Sequence, residues 1–383
     1  LAAVTWLFAC VGDTPNTSDP GKEGQPCFAN GTCVSGLSCL SNTCVRTDGS
    51  APGDGATTDG PSQDASPDVP ADVAPDVPKL GCDGGACKPY LISNDFTAGT
   101  TIVATGDDVL FGAGGTVAKC PKTGCKGTPT ILATFPANAQ VATDGTTAFI
   151  VPYVQTGSGL FACALGGCNG TPVTLVGSQS YGSQPVLDGT SIFWSAANGT
   201  ELWAGTLPSC TDASSIAPTV SGGSVRAVDA TSVYWTQQST MVRACDKANC
   251  AGTAVSLLTG LAEPSSVVVV GSTLYVATFG NGPGTGSVLR CTRTGSTCTG
   301  TTVLAGNLAY PNRIVVDGAR AYVMEVGSPS KGFADARISY VPTSGGAAVP
   351  VVENTGSLKD LTQDGSNLFY ITATGQVWGV AKP

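Results

Sequence analysis

Two residue types in this sequence are spaced as if to do chemistry, recurrent aspartates and closely paired cysteines. Asp144, Asp188, Asp229, Asp317 and Asp364 each open a similar phrase: DGTTAFIVP, DGTSIFWSA, DATSVYWTQ, DGARAYVME and DGSNLFYIT. A ring of carboxylates could share protons or hold a metal. Each of these aspartates, however, precedes Gly or Ala and then a run of strand formers. There a carboxylate caps the backbone amides of a tight turn, so a structural role is expected. The chain contains no histidine. That removes Ser-His-Asp and Cys-His chemistry, His-ligated zinc and the commonest general base near neutral pH. Enzymes that work through carboxylates alone, or through Tyr and Lys, survive this exclusion.

The sixteen cysteines point to an oxidising compartment. Cys82/Cys87, Cys120/Cys125, Cys163/Cys168 and Cys245/Cys250 share a C-x4-C spacing, and Cys291/Cys298 has C-x6-C. All are expected as short cross-strand disulfides. Cys27, Cys33, Cys39 and Cys44 fall within a segment too short to bury a core and are expected to pair among themselves, with three connectivities open. A zinc site there lacks a C-x-x-C pair, so no metal is expected. Cys210 stands alone, because Gly205 occupies its partner's place, and is expected as a free thiol.

The stretch 1–10, LAAVTWLFAC, reads as the end of a signal peptide, and Leu7-Phe8-Ala9-Cys10 resembles a bacterial lipobox whose Cys10 would be lipidated. The expected organisation continues with a tether over 11–26, a small Cys-rich module over 27–45 and a disordered linker over 46–80. The linker spaces Asp48, Asp54, Asp59, Asp64, Asp68, Asp72 and Asp76 among Pro, Ala and Gly, a composition that stays solvated. With a net charge of −9 and no basic run, no nucleic-acid partner is expected.

From 81 to 383 the chain is repetitive. Counting Gly106 and Val270 as degenerate copies, the phrase returns at steps of 38 to 47 residues without helical periodicity. Such a period fits propeller blades of four short strands. The last repeat stops at its third strand, QVWGVA, whereas 82–93 matches the tail of a repeat. The N-terminal segment is therefore expected to supply the outermost strand of the last blade. The predicted fold is all-β: a seven-bladed β-propeller preceded by a small disulfide-rich module and an acidic Pro/Asp linker. Phe193-Trp194-Ser195 and Tyr234-Trp235-Thr236 approach the core of the YWTD motif. The chain resembles NHL and YWTD propellers, and more closely secreted bacterial propellers with cysteine-clipped blades.

Length variation among the repeats falls in second-to-third-strand loops, FGNGPGTGS (279–287) and VGSPSKGFADA (326–336). Loops that lengthen on a rigid scaffold are where binding is expected. The candidate binding residues are Phe279, Asn281, Lys331, Phe333 and Asp335, with Tyr181, Tyr310, Asn312, Arg313, Lys359 and Asp360 in inter-blade connections. The expected function is a tethered binding or scaffolding module for a protein or glycan, without catalysis or cofactor. It would be a monomer at the outer membrane or cell surface, the alternative being periplasmic or freely secreted. The alternative function is a propeller enzyme of carbohydrate lyase, glycosidase or lactonase type. Such an enzyme would use carboxylates near the axial channel, for which the sequence offers Asp360 and Glu325.

Overall fold

The structure is a computed structural model. It describes residues 33, 38–40, 43–45, 82–83 and 86–383, apart from 126, 154–157, 180–181 and 218–219. The chain divides into two units, 1–74 and 75–383. In the first, Ser38–Leu40 and Thr43–Val45 form a hairpin, and Cys33 is bonded to Cys44 with Cα atoms 5.8 Å apart. Cys10, Cys27 and the side chain of Cys39 lie outside the described residues.

In the second unit seven four-stranded antiparallel sheets follow one another in chain order. It is a seven-bladed β-propeller. Each repeated phrase supplies the second strand of a blade: Asp108–Ala113, Thr147–Pro152, Ser191–Ala196, Ser232–Gln237, Thr273–Thr278, Arg320–Glu325 and Asn367–Thr372. These strands are buried on both faces because each lies between two neighbouring blades. Ala148 and Ile150 of blade 2 pack toward blade 1, while the alternate residues Phe149 and Val151 pack toward blade 3. The core is accordingly divided into clusters that sit between adjacent blades. Trp194 and Trp235 are among the largest side chains they bury.

The turn aspartates act as the sequence suggested. One carboxylate oxygen of Asp144, Asp188, Asp229 and Asp364 accepts bonds from the backbone N–H groups two and three residues on, at 2.7–3.1 Å. The other oxygen often reaches the next blade. Asp188 meets Lys247, Asp229 meets Arg293, Asp317 meets Lys382 and Asp364 meets Lys122. Each of these cations also sits over an aromatic ring of the preceding blade: Phe193, Tyr234, Tyr322 and Phe369, at 5.1–5.8 Å from the ring centroid. Asp and ring are five residues apart in every copy, so the phrase encodes a socket for the following blade's cation. Where Val270 replaces the Asp, the corresponding position of the next blade is the uncharged Thr343.

In blades 1, 2 and 4 the disulfides Cys120–Cys125, Cys163–Cys168 and Cys245–Cys250 clip the third strand to the segment that links it to the fourth, and in blade 5 Cys291–Cys298 joins the third strand to the fourth. In blade 4 the link is a helical turn, Lys247–Asn249 running into Cys250–Thr253. Cys87 is also disulfide-bonded, and Cys82 is its neighbour in a short hairpin. Cys210 is free and buried. Tyr90–Ser93 pairs with Val377–Ala381, so the N-terminal segment completes blade 7 and closes the ring.

Candidate functional site: the channel mouth

The innermost strands line the axial channel, and their first residues form one of its mouths. In five of the seven blades this strand carries a bulge, with one residue left out of the pairing register: Thr100, Arg226, Ser265, Asn312 and Lys359. A bulge re-aims a side chain that regular pleating would direct elsewhere. Two of the five serve the fold. Thr100 Oγ1 bonds to the carbonyls of Gly112 and Ala139, and Ser265 Oγ to the equivalent carbonyls of Ala277 and Pro311, tying each blade to the next. Arg226, Asn312 and Lys359 line a cavity of about 460 Å³ at the mouth, together with Gln140, Gln184 and Arg313.

Asp360 lies at the edge of this cavity and is only 5% exposed. One carboxylate oxygen accepts from Thr101 Oγ1 and from the Ile102 amide, both at 3.0 Å. The other accepts from its neighbour Leu361 N at 2.9 Å and pairs with Arg313 Nε at 3.2 Å. Asp360 therefore fastens blade 7 to blade 1 with both oxygens engaged. Arg226 differs. Its Nε is buried without a hydrogen-bond partner. Burial, reinforced by the charge of Arg313 and partly countered by Asp360, brings its guanidinium down to about 10.

The structure sorts the residues singled out from sequence. Asn312, Arg313, Lys359 and Asp360 come together at the mouth. Phe279 and Tyr310 pack with ring centroids 4.8 Å apart and ring planes tilted by 39°, and Phe279 borders an adjoining groove that it shares with Arg226 and Asn312. Lys331 and Asp335 line a separate cavity of about 370 Å³, which also contains Glu325. Within the 326–336 loop, Asp335 accepts from Ser328 N at 2.6 Å and Ser328 Oγ at 2.7 Å; against the upward push of burial these bonds hold its carboxyl at about 2. Glu325 is fully buried, held by Arg337 Nε at 2.6 Å and by Ala309 N at 2.7 Å. Phe333 is half-buried at a positive φ of 63°, and Asn281 is exposed. Tyr181 lies outside the described residues.

Arg226, Gln140 and Gln184 were not singled out from sequence. Arg226 sits inside VRAVD, a stretch whose alternation marks a strand but not the place of its bulge. Gln184 belongs to the mouth because its amide reaches across blades to Thr101 Oγ1 at 3.0 Å and to the Val141 carbonyl at 3.3 Å.

No protein-family model matches the sequence, and no curated relative matches it. Solved structures do match. BamB from Moraxella catarrhalis is 12% identical, with 74% of this chain and 83% of that chain covered at a TM-score of 0.50. A catalytically inactive virginiamycin B lyase from Staphylococcus aureus, with quinupristin, is 13% identical, with 77% and 99% covered at a TM-score of 0.58. A computationally designed protein, Ika8, is 11% identical, with 76% and 98% covered at 0.52. What these share with the chain is the fold. The distant relationship is that of one β-propeller to others.

Proposed function

We propose that this protein is a binding propeller of an extracytoplasmic compartment that presents its channel mouth to a protein or glycan ligand. The observation that carries this reading is the set of bulge residues at the mouth. Arg226, Asn312 and Lys359 are aimed into a polar cavity and are not used to tie blades together, unlike Thr100 and Ser265 at comparable bulges. The cavity falls within the roughly 300–1,000 Å³ usual for ligand sites. The disulfides fit an oxidising compartment, and we assign the tether to a lipid on Cys10, at the outer membrane or cell surface.

We propose binding without turnover. Asp360 and Glu325 line different cavities, and each already has an arginine partner, so neither is poised as a free acid or base. Purified envelope and matrix proteins and polysaccharides, immobilised as a panel, test the reading against wild type and Asn312→Trp, which fills the mouth. At least one ligand should bind wild type and lose most of its binding to the variant. Ligands whose binding survives the plug would move the site elsewhere. Labelling with a fatty-acid probe, present in wild type and lost in Cys10→Ser, tests the tether.

A further inference from the structure

We infer that the ligand of the mouth is an acidic saccharide, one carrying carboxylates or sulfate esters, with its anionic group held between Arg226 and Arg313. This rests on the reading of the mouth as the ligand site and adds the chemistry of what enters it. The lining carries three cationic side chains, Arg226, Arg313 and Lys359, against the carboxylate of Asp360. That local excess of positive charge belongs to a chain whose net charge is −9.

The single carboxylate is also spent. Asp360 accepts three hydrogen bonds, from Thr101, Ile102 and Leu361, besides its contact with Arg313. Arg226 makes no direct contact with it: among the described residues its side chain has no ion pair or hydrogen bond, and Asp360 offsets its charge only in part. A guanidinium whose buried Nε lacks an acceptor costs free energy that an incoming acceptor can recover. Arg226 and Arg313 line the same cavity and their charges repel each other; an anion between them relieves this, and their planar forks match the oxygens of a carboxylate or sulfate.

Around this charged centre the lining is neutral and hydrogen-bonding. Gln140, Asn312 and Ser224 supply amides and a hydroxyl, and Tyr153, 55% exposed, lies at the rim. Amides and a hydroxyl suit a sugar ring. They give little to the apolar side chains of a folded protein partner. The charge selects the acid; the surrounding amides select the saccharide.

The experiment is calorimetric titration of the folded full chain with four probes of matched length: oligogalacturonate, a sulfated oligogalactan, uncharged oligogalactan and oligoglutamate. One or both acidic saccharides should bind about tenfold or more tightly than the uncharged one, the gain expected of a charge-assisted contact. Which of the two binds separates carboxylate from sulfate. The preference should weaken with added salt. Arg226→Met, which removes a charge whose Nε has no acceptor and roughly keeps the volume, should abolish the preference without lowering the unfolding midpoint. Equal binding of charged and uncharged sugars overturns the inference, as does a preference unchanged in Arg226→Met. Binding of oligoglutamate alone overturns the saccharide part and favours an acidic peptide. If none of these probes binds while another ligand proves sensitive to Asn312→Trp, the inference fails and the mouth remains the ligand site. If no ligand is sensitive to that plug, the reading of the mouth fails as well.

Discussion

Gly205 and Cys210 show a clip with one half missing. A Cβ built on Gly205 would lie 3.0 Å from Cys210 Cβ and 3.1 Å from its Sγ, at the blade-3 counterpart of the other clips. Disulfide Cβ atoms stand about 3.5–4.5 Å apart, so a small shift of Cys210 completes the geometry. Gly205→Cys should close this bridge and add about 2 kcal/mol by the chain-entropy relation for so short a loop. Thiol titration of the unfolded protein checks the bond, and denaturant unfolding checks the gain. As it stands, burial, with some help from the charge of Asp212, pushes the Cys210 thiol up to about 11. Wild type should therefore react with alkylating agents at neutral pH only after unfolding.

The unit above the residue is the socket between blades, formed by a turn aspartate, a ring and the following blade's cation. Asp188 caps its own turn and also holds Lys247 at 2.5 Å, whereas Asp144 caps a turn but the position equivalent to Lys247 in its next blade is the uncharged Leu207. Asp188→Ala should thus cost up to about 1 kcal/mol more than Asp144→Ala, the worth of the ion pair. In a Lys247→Met background that difference should vanish, and a double-mutant cycle by denaturant unfolding measures it. The same carboxylates set an acid limit. Burial alone would raise Asp144, Asp188, Asp229 and Asp364, but hydrogen bonds from turn amides, joined by Lys247 at Asp188, the Tyr234 hydroxyl at Asp229 and Lys122 at Asp364, outweigh it and lower all four. Groups depressed in the folded state contribute stability above their unfolded value of about 4 and lose it as pH falls through the folded values. Unfolding midpoints should be flat with respect to these groups above about pH 5 and drop below about pH 4. A midpoint unchanged at pH 3 would remove the sockets from the account of stability.

For the whole molecule the decisive element is closure. Tyr90–Ser93 is the outer strand of a blade whose other strands come from the opposite end of the chain. Ile92 is 3% exposed and packs with Phe111 of blade 1 and Phe369 of blade 7. Gly379 permits this strand's approach, since a Cβ there would lie 2.3 Å from the Tyr90 ring. If the ring unfolds as one unit, Ile92→Ala should lower global stability by about 2–4 kcal/mol, as an interior truncation does. Ile102→Ala, inside blade 1, provides the reference. Should blade 7 peel away by itself, Ile92→Ala would leave the main transition where it is, and only local hydrogen exchange would change.

The features legible in the sequence are those whose physics is local. An aspartate capping amides two and three residues ahead, a C-x4-C clip across one hairpin and an alternating strand all leave their trace within about ten residues. Their regular return revealed the blades, and the unfinished last copy revealed the closing strand. The site depended on relations the sequence does not display. Asp188 and Lys247 are 59 residues apart, and their pairing exists because each blade turns one face to the blade before it and the other to the blade after it. Arg226 enters the channel because one residue falls out of register between Val225 and Ala227. Hydrophobic alternation sets which face of a strand is buried, but it does not say where a strand slips by one. That slip is decided by how seven inner strands crowd around a common axis, so the tertiary structure alone could bring Arg226, Arg313 and Lys359 to one mouth.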